Sequence, residues 1–534
     1  MDKTIAEYLL KSFLERADGN SEKVFISSIE IEAVRFLFGN PDTTRQVESG
    51  TEVSSSSPAD VIFNLHPVDV VDDFILCLDF GTSFSKAFAN KFENNSDTVI
   101  DLEIGSSETG GSSLFLPSEL FIDEAKIYFG VSARLRFNEI EARQERLIDS
   151  PKQYLTLEKD VTKLGELDLP LADKRDPERR LKQRDALTLF LAHLNLRAEK
   201  ALKESGNSPN ILRRYTHPAW GKEISEGNKE AMRRILAEAI AISRTFPALV
   251  NSHAELNEIV PILTKARTLT DAELESSYQL IGDAVREATA AGGGVLKEVE
   301  PGNRQSFVIV DIGAGTSDVA GCYCVHHGLT GDLKISEETS AAQAIRQAGN
   351  NLDDGLLSLA LSKVHHDPTS AEHDKILASI RKMKRQYKEV LFTTGQVLIP
   401  LPDDSAITIT LAEFVQQRLV KNFVREIKTL VAVAAEKVFN KKTVYLIPTG
   451  GGARLPFIKQ IVDEINDENN EISLEIKEAM PEDLKQTNPD LIEPYPQLAV
   501  AVGGSMADLP EQKSDIRGGI SDPGKRVMEG SYKS

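Results

Sequence analysis

The stretch whose reading decides the fold is "FILCLDFGTSFSKAF", residues 74–88, taken with its near-repeat "SFVIVDIGAGTSDVAGCYC", residues 306–324. Each is an apolar run that delivers an aspartate, Asp79 or Asp311, into a glycine-and-hydroxyl turn, and a second strand-like run follows. Short apolar runs bounded by such turns predict buried strands. Glycine removes the Cβ that would block close approach, so Gly81, Gly313 and Gly315 let backbone N–H groups reach an anion. Thr82, Ser83 and Thr316 add hydroxyls. A carboxylate meets a phosphate only across a divalent cation, held directly or through water, which makes Asp79, Asp311 and Asp318 the metal candidates. Two such hairpins facing one another would clamp a polyphosphate and its Mg²⁺ from both sides. The plainer reading is two ordinary β-turns, which require neither the hydroxyls nor the carboxylates.

A third element, "KTVYLIPTGGGARLPFIKQIVDEI" at 442–465, reads as a strand, a triple-glycine turn and a helix from about Pro456. Gly450, Gly451 and Gly452 either lie flat against a ligand or make a tight strand-to-helix connection. The P-loop pattern and the Rossmann glycine fingerprint are both absent from the sequence.

The rest of the chain sets the context. Its 534 residues carry 41% hydrophobic and 27% charged side chains, enough for several packed domains. The net charge of −20 argues against a nucleic-acid surface. Cys77, Cys322 and Cys324 sit inside apolar runs, which suggests reduced thiols and a cytoplasmic protein rather than a disulfide framework. No apolar run reaches the length of a membrane span, and no signal-peptide pattern opens the sequence. Ile5, Tyr8, Leu9 and Phe13 at helical spacing predict a small N-terminal module over 1–48. The serine-rich stretch that follows predicts a linker over 49–73. Helices are expected over 184–204 and 226–243, alternating with strands in an α/β pattern. The polar tail from Ala507 is expected to be mobile. His326-His327 and His365-His366 lack ligand-spaced companions and read as surface residues.

In order and spacing, "LDFGTS", "DIGAGTSD" and "GGGARLP" resemble the two phosphate loops and the adenosine loop of the DnaK-type heat-shock chaperone ATPase, in the actin, hexokinase and sugar-kinase superfamily. Further matches are "LPSEL" at 116, "SPKQYL" at 150, "THPAWGKEISEGNKEAMRRIL" at 216, "REATAA" at 286, "AGNNLDDGLL" at 348, "YKEVLF" at 387 and "YPQLAVAVGG" at 495. The resemblance runs from about Phe74 to Met506. It implies an α/β, two-lobed actin-like fold, a duplicated ribonuclease H-like unit. Lobe I would span about 74–303 with closing helix 495–506, and lobe II about 304–494. It implies ATP and ADP as ligands with Mg²⁺, and catalytic roles for Lys152, Glu287 and Asp311. Lys152 matches the lysine that positions the attacking water, and Glu287 matches the glutamate of the family's "EPTAA" turn. Lys388 and Arg454 match nucleotide-binding positions. Arg385, Glu389 and Gln497 depart from the family at the base and ribose, which bears on affinity and base preference.

The family's peptide-binding domain normally follows the closing helix, and the tail after Met506 is too polar to form one, so client capture by that route is not expected. The function expected is an ATPase switch working through a protein partner docked on the N-terminal module or on the segment at 244–283, which is longer than the family pattern and is read first as a helical elaboration of the lobe and second as a docking insertion. The alternatives are a nucleotide-binding scaffold with little turnover and a small-molecule kinase, for which no substrate-side base is evident.

Overall fold

The structure, a computed structural model, describes residues 61–513 apart from breaks at 94–95, 106–112, 141–145, 158–159, 221, 365–369, 441–442, 469–470 and 507–508. The module expected over 1–48 and the tail beyond 513 lie outside the described residues. The described chain is mixed α/β and contains two large sheets.

The first sheet is built from β1 (Val71–Asp79), β2 (Phe84–Glu93), β3 (Ser96–Asp101), β4 (Ile211–His217) and β5 (Ile281–Arg286), in the order β3-β2-β1-β4-β5. β1, β2 and β3 pair antiparallel through short turns, whereas β4 and β5 join parallel. Parallel neighbours need crossovers, and the two here contain the helices α1 (Gln183–Glu204) and α2 (Lys222–Thr245). The second sheet repeats the plan. Its strands β6 (Arg304–Ile312), β7 (Ser317–His326), β8 (Leu333–Ile345), β9 (Val444–Thr449) and β10 (Leu474–Ile476) run in the order β8-β7-β6-β9-β10. Again the first three are antiparallel and the last two parallel. The register repeats as well, since Asp79 faces Lys86 across the first hairpin and Asp311 faces Asp318 across the second.

The second sheet's crossovers contain α4 (Gly349–Ser362), α5 (Ala371–Thr394), α6 (Arg418–Val438) and α7 (Phe457–Glu468); the label α3 is kept for Glu287–Gly292, the short helix that continues from β5. α7 shows why the pattern reads as helix. Phe457, Ile458, Ile461, Val462 and Ile465 fall on one face and are buried, each worth about 1.5–3 kcal/mol of apolar burial. Each sheet has its own apolar core. A third cluster joins them, where α3 and α8 (Tyr495–Ser505) pack beside Phe307, Ile309 and Cys322 of the second sheet. A Cβ added at Gly503 would lie 2.0 Å from the Ala290 carbonyl oxygen, so only glycine lets α8 cross α3 this closely.

Two local expectations need correcting, and a third holds. Residues 61–73 are not a free linker. β1 begins at Val71, and Val61, Phe63, Leu65, Val68 and Val70 pack half-buried on the first core, because their near-alternate spacing lays one edge of an extended chain on apolar surface. The tail does not leave the fold at Ala507 either. β11 (Glu511–Lys513) pairs parallel with Ser336–Glu338 of β8, a backbone pairing that requires no apolar side chains. The 244–283 segment is a helical elaboration of the first core, the preferred of its two expected readings. His253–Glu255 pairs with Lys126–Tyr128, and Leu256, Ile259, Ile262, Leu263 and Ala266 of the following helix are buried. The three cysteines are free and buried, and no helix among the described residues is long and apolar enough to cross a membrane.

Candidate functional site

The two hairpin turns meet. A Cβ added at Gly315, in the β6–β7 turn, would lie 2.8 Å from the Oγ1 and Cγ2 of Thr82 in the β1–β2 turn. Each turn is braced from outside the hairpin. Ser118 of "LPSEL" donates to the Gly81 carbonyl at 2.7 Å and lies 2.9 Å from the Ser85 hydroxyl. The Gly313 and Ala314 carbonyls accept from the Gly349 and Asn350 amides that open α4, at 3.0 and 2.8 Å. The triple-glycine turn is stitched to the same place. The Gly452 amide donates to the Ile312 carbonyl at 2.9 Å, and the Gly450 amide to Pro496 at 2.7 Å. Gly450 has φ +76°, and a Cβ there would lie 2.4 Å from the Ile312 oxygen.

Around these turns lies a cluster of buried charge: Asp79, Glu287, Asp311 and Asp318, only 2–6% exposed, with Lys86 and Lys152. Lys152 Nζ lies 2.5 Å from Glu287 Oε1, so the "SPKQYL" turn and the start of α3 come together as one ion pair. Lys86 Nζ lies 2.8 Å from Asp79 Oδ2, and the Thr216 hydroxyl donates to Asp79 Oδ1 at 3.2 Å. Thr449 donates to Asp311 Oδ1 at 3.0 Å. The Ala219 amide donates to Asp318 Oδ1 at 3.2 Å, while Asp318 Oδ2, also buried, has no hydrogen-bond partner among the described residues.

The charge balance is visible in the titration behaviour. Burial, then the charges of Glu287 and Asp79, push the Asp311 carboxyl up to about 6. Burial and the Glu287 charge push Asp318 up to about 7. Burial also raises Glu287, although Lys152 pulls it the other way. For Lys152, burial pulls the ammonium down, but Glu287, Asp79 and Asp318 together outweigh it and hold the group above its ordinary value. This is a site short of positive charge.

Among the described residues no set of three or more carboxylate, histidine or cysteine groups is arranged to ligate one metal ion together. Asp318 Oδ2 is left without a partner in a cluster short of positive charge.

The remaining predicted residues divide. Lys388 Nζ donates to the Gly349 carbonyl at 3.1 Å and pairs with Asp353 at 2.6 Å, which puts it beside the second turn. Arg385 approaches the same Asp353 at 3.8 Å. Arg454 is largely exposed and bonds the Glu493 carbonyl at 2.5 Å, near the start of α8. Glu389 and Gln497 are exposed. A Cβ at Gly451 would meet nothing within 4 Å, so that face of the third turn is open. His326 bonds the Val299 carbonyl through Nδ1.

Sequence reasoning missed Lys86, Ser118, Thr216, Asp353 and Thr449. Lys86 carried a readable signal, because it follows Asp79 at the spacing by which Asp318 follows Asp311. Outside the cluster, the Arg346 guanidinium donates to the Thr156 carbonyl, and Lys382 lies 5.8 Å from the Phe137 ring centroid, further contacts between the two halves. No family model matches the chain, and no curated protein matches it.

Proposed function

We propose that the chain is a Mg²⁺-dependent ATPase with a two-lobed actin-like fold, similar to the DnaK-type chaperone ATPase, whose hydrolysis of ATP to ADP changes lobe closure and acts through a protein partner. The observation that carries this reading is the contact of two equivalent hairpin turns over a buried, cation-poor cluster of carboxylates and lysines. Phosphoryl transfer asks a protein mainly for alignment and charge neutralisation, and the cluster supports both.

The hydroxyls of Thr82, Ser83 and Thr316 and the turn amides donate to phosphate oxygens. A divalent cation, faced by Asp311 and Asp318 through its waters, would neutralise charge on the phosphates. Lys152, anchored by Glu287, orients the attacking water. Asp318 Oδ2, which has no partner among the described residues, is the oxygen free to accept from that cation's waters. Because these groups are buried, ATP enters only when the lobes part, and closure excludes bulk water afterwards.

One observation favours a second reading, a nucleotide-binding scaffold with little turnover. Asp353 engages both Lys388 and Arg385, so the side chains expected at the ribose are tied to the protein. A phosphate-release assay with ATP and Mg²⁺, with and without added sugars, separates the readings. Steady release without acceptor supports the ATPase, ATP binding without release supports the scaffold, and phosphorylated sugar marks a kinase.

A further inference from the structure

Two parts of the chain lie outside the family pattern, residues 1–48 before it and the 244–283 segment within it, and the structure brings their neighbourhoods together. Between α1 and the turn Pro247–Val250 lies a cleft of about 330 Å³, lined by Leu196, Glu199, Lys200, Lys203, Pro247 and Val250. The four α1 residues follow one another at helical spacing, so a single stripe of that helix forms one wall. Leu196, Pro247 and Val250 are apolar, and the lysine stems add hydrocarbon while their ammonium groups stay at the rim. Lys200 is paired with Glu204 at 3.7 Å, so part of the rim's charge is met within α1 itself.

The chain enters the described structure beside this cleft. The Asn64 amide donates to Thr245 Oγ1 at 3.0 Å, and the Arg244 guanidinium donates to the His66 carbonyl at 2.6 Å, just before Pro247. Phe63 and Val250 pack half-buried on the same core, and the adjoining Ile62 is 87% exposed, so apolar surface continues toward the N-terminus. Whatever precedes Val61 therefore starts next to the cleft. That sequence contains the stripe Ile5, Tyr8, Leu9 and Phe13. A helix so short is marginal alone, and its apolar face needs cover. The cleft offers a helix-lined apolar wall for side-chain anchors, with lysines and glutamates at the rim to face Glu7, Lys11 and Glu15 of the segment.

We propose that residues 5–13 dock in this cleft of their own chain, which makes the 244–283 segment the seat of the N-terminal module. The docking is independent of nucleotide binding. Competing occupants are the same segment of a second copy and a different protein. The tether decides between them, because it supplies an effective concentration on the order of a millimolar that a separate chain must match.

The test is cross-linking in the full chain with a short bis-maleimide, between Ser12→Cys beside the stripe and Lys203→Cys at the rim. Cys77, Cys322 and Cys324 stay in place because all three are buried. At micromolar protein the cross-link is expected within one chain, at a rate unchanged by dilution and on the order of a hundredfold faster than between two singly substituted chains. Adding Leu9→Glu and Phe13→Glu, which alters no described residue, is expected to cut the yield at least about tenfold. A control pair, Ser12→Cys with the exposed Lys459→Cys on α7, is expected to give little product. A cross-link formed only between chains assigns the cleft to a second copy. Equal yield at Lys459, or yield unaffected by the two glutamates, shows tethering without docking. Each of these results overturns the proposal, as does the absence of any cross-link, which leaves the cleft to another protein.

Discussion

Replacing Asp318 with Asn is expected to stabilise the protein at pH 8 and to change its stability little near pH 4. The Asp318 carboxyl is raised from 3.8 to about 7 by burial and by the Glu287 charge. Between those values the folded chain retains a proton that the unfolded chain has released, so stability falls as pH rises through the window and stays low above it. Each unit corresponds to about 1.4 kcal/mol, so the wild-type penalty at pH 8 reaches on the order of 4 kcal/mol. Asparagine removes that penalty while its carbonyl oxygen can still accept from the Ala219 amide. Near pH 4 the folded carboxyl is protonated and the unfolded one about half so, and the difference shrinks to well under about 1 kcal/mol. Urea unfolding of the full chain at pH 8 and pH 4 measures this directly, with the variant's midpoint above the wild type's only at the higher pH. Equal midpoints at pH 8, or a less stable variant there, would refute the reasoning, because Asp318 would then have a partner that stabilises its charge. The same variant should lose turnover, the ordinary cost of relieving a functional site of its strain.

Lys152→Ala is expected to lower turnover by on the order of a hundredfold or more while ATP affinity changes only a few-fold, since the interaction belongs to the transition state; an unchanged rate in a phosphate-release assay would leave Lys152 a structural partner of Glu287. Trp220, the single tryptophan, stacks on His217 at 4.8 Å and donates to the Leu155 carbonyl, so its fluorescence should change saturably with ATP and Mg²⁺ as the lobes move, and a flat titration at saturating ATP would contradict that movement. Gly503→Ala should cost about 1–3 kcal/mol in urea unfolding by forcing α8 away from the Ala290 carbonyl, and an unshifted midpoint would show that the two helices can separate freely.

What the sequence made legible follows from which features are local. β1 and β6 announce themselves as apolar runs ending in an aspartate and a glycine turn, and α7 as an apolar face at helical spacing. The contact between Thr82 and Gly315 was foreshadowed by the repeat itself, because two copies of one hairpin with outward hydroxyls suggest a facing pair. Lys86 was passed over because a lone lysine in a strand ordinarily reads as solvated, and only its register with Asp79 reveals it as buried. Thr216, Thr449 and Asp353 reach the site from other elements, and the stretches that contain them drew notice for their glycines and family likeness rather than for these side chains. β11 was invisible because edge pairing is a property of backbone rather than of side-chain pattern. The packing of 61–70 was hidden by the polar residues interleaved with Val61, Phe63 and Leu65, which make an extended docked chain look like a linker.

The central claim is that ATP and a divalent cation bind together where the two turns meet. Calorimetric titration of ATP in Mg²⁺ into the wild type and into Asp311→Asn tests it most directly, because Asp311 lies at the end of β6, hydrogen-bonded to Thr449 and electrostatically coupled to Glu287 and Asp79. The account predicts saturable binding by the wild type, at least about tenfold weaker in the variant, the worth of one charged contact, with both proteins binding alike once EDTA removes the metal. No binding by the wild type, or equal affinity of the two proteins in Mg²⁺, would contradict it.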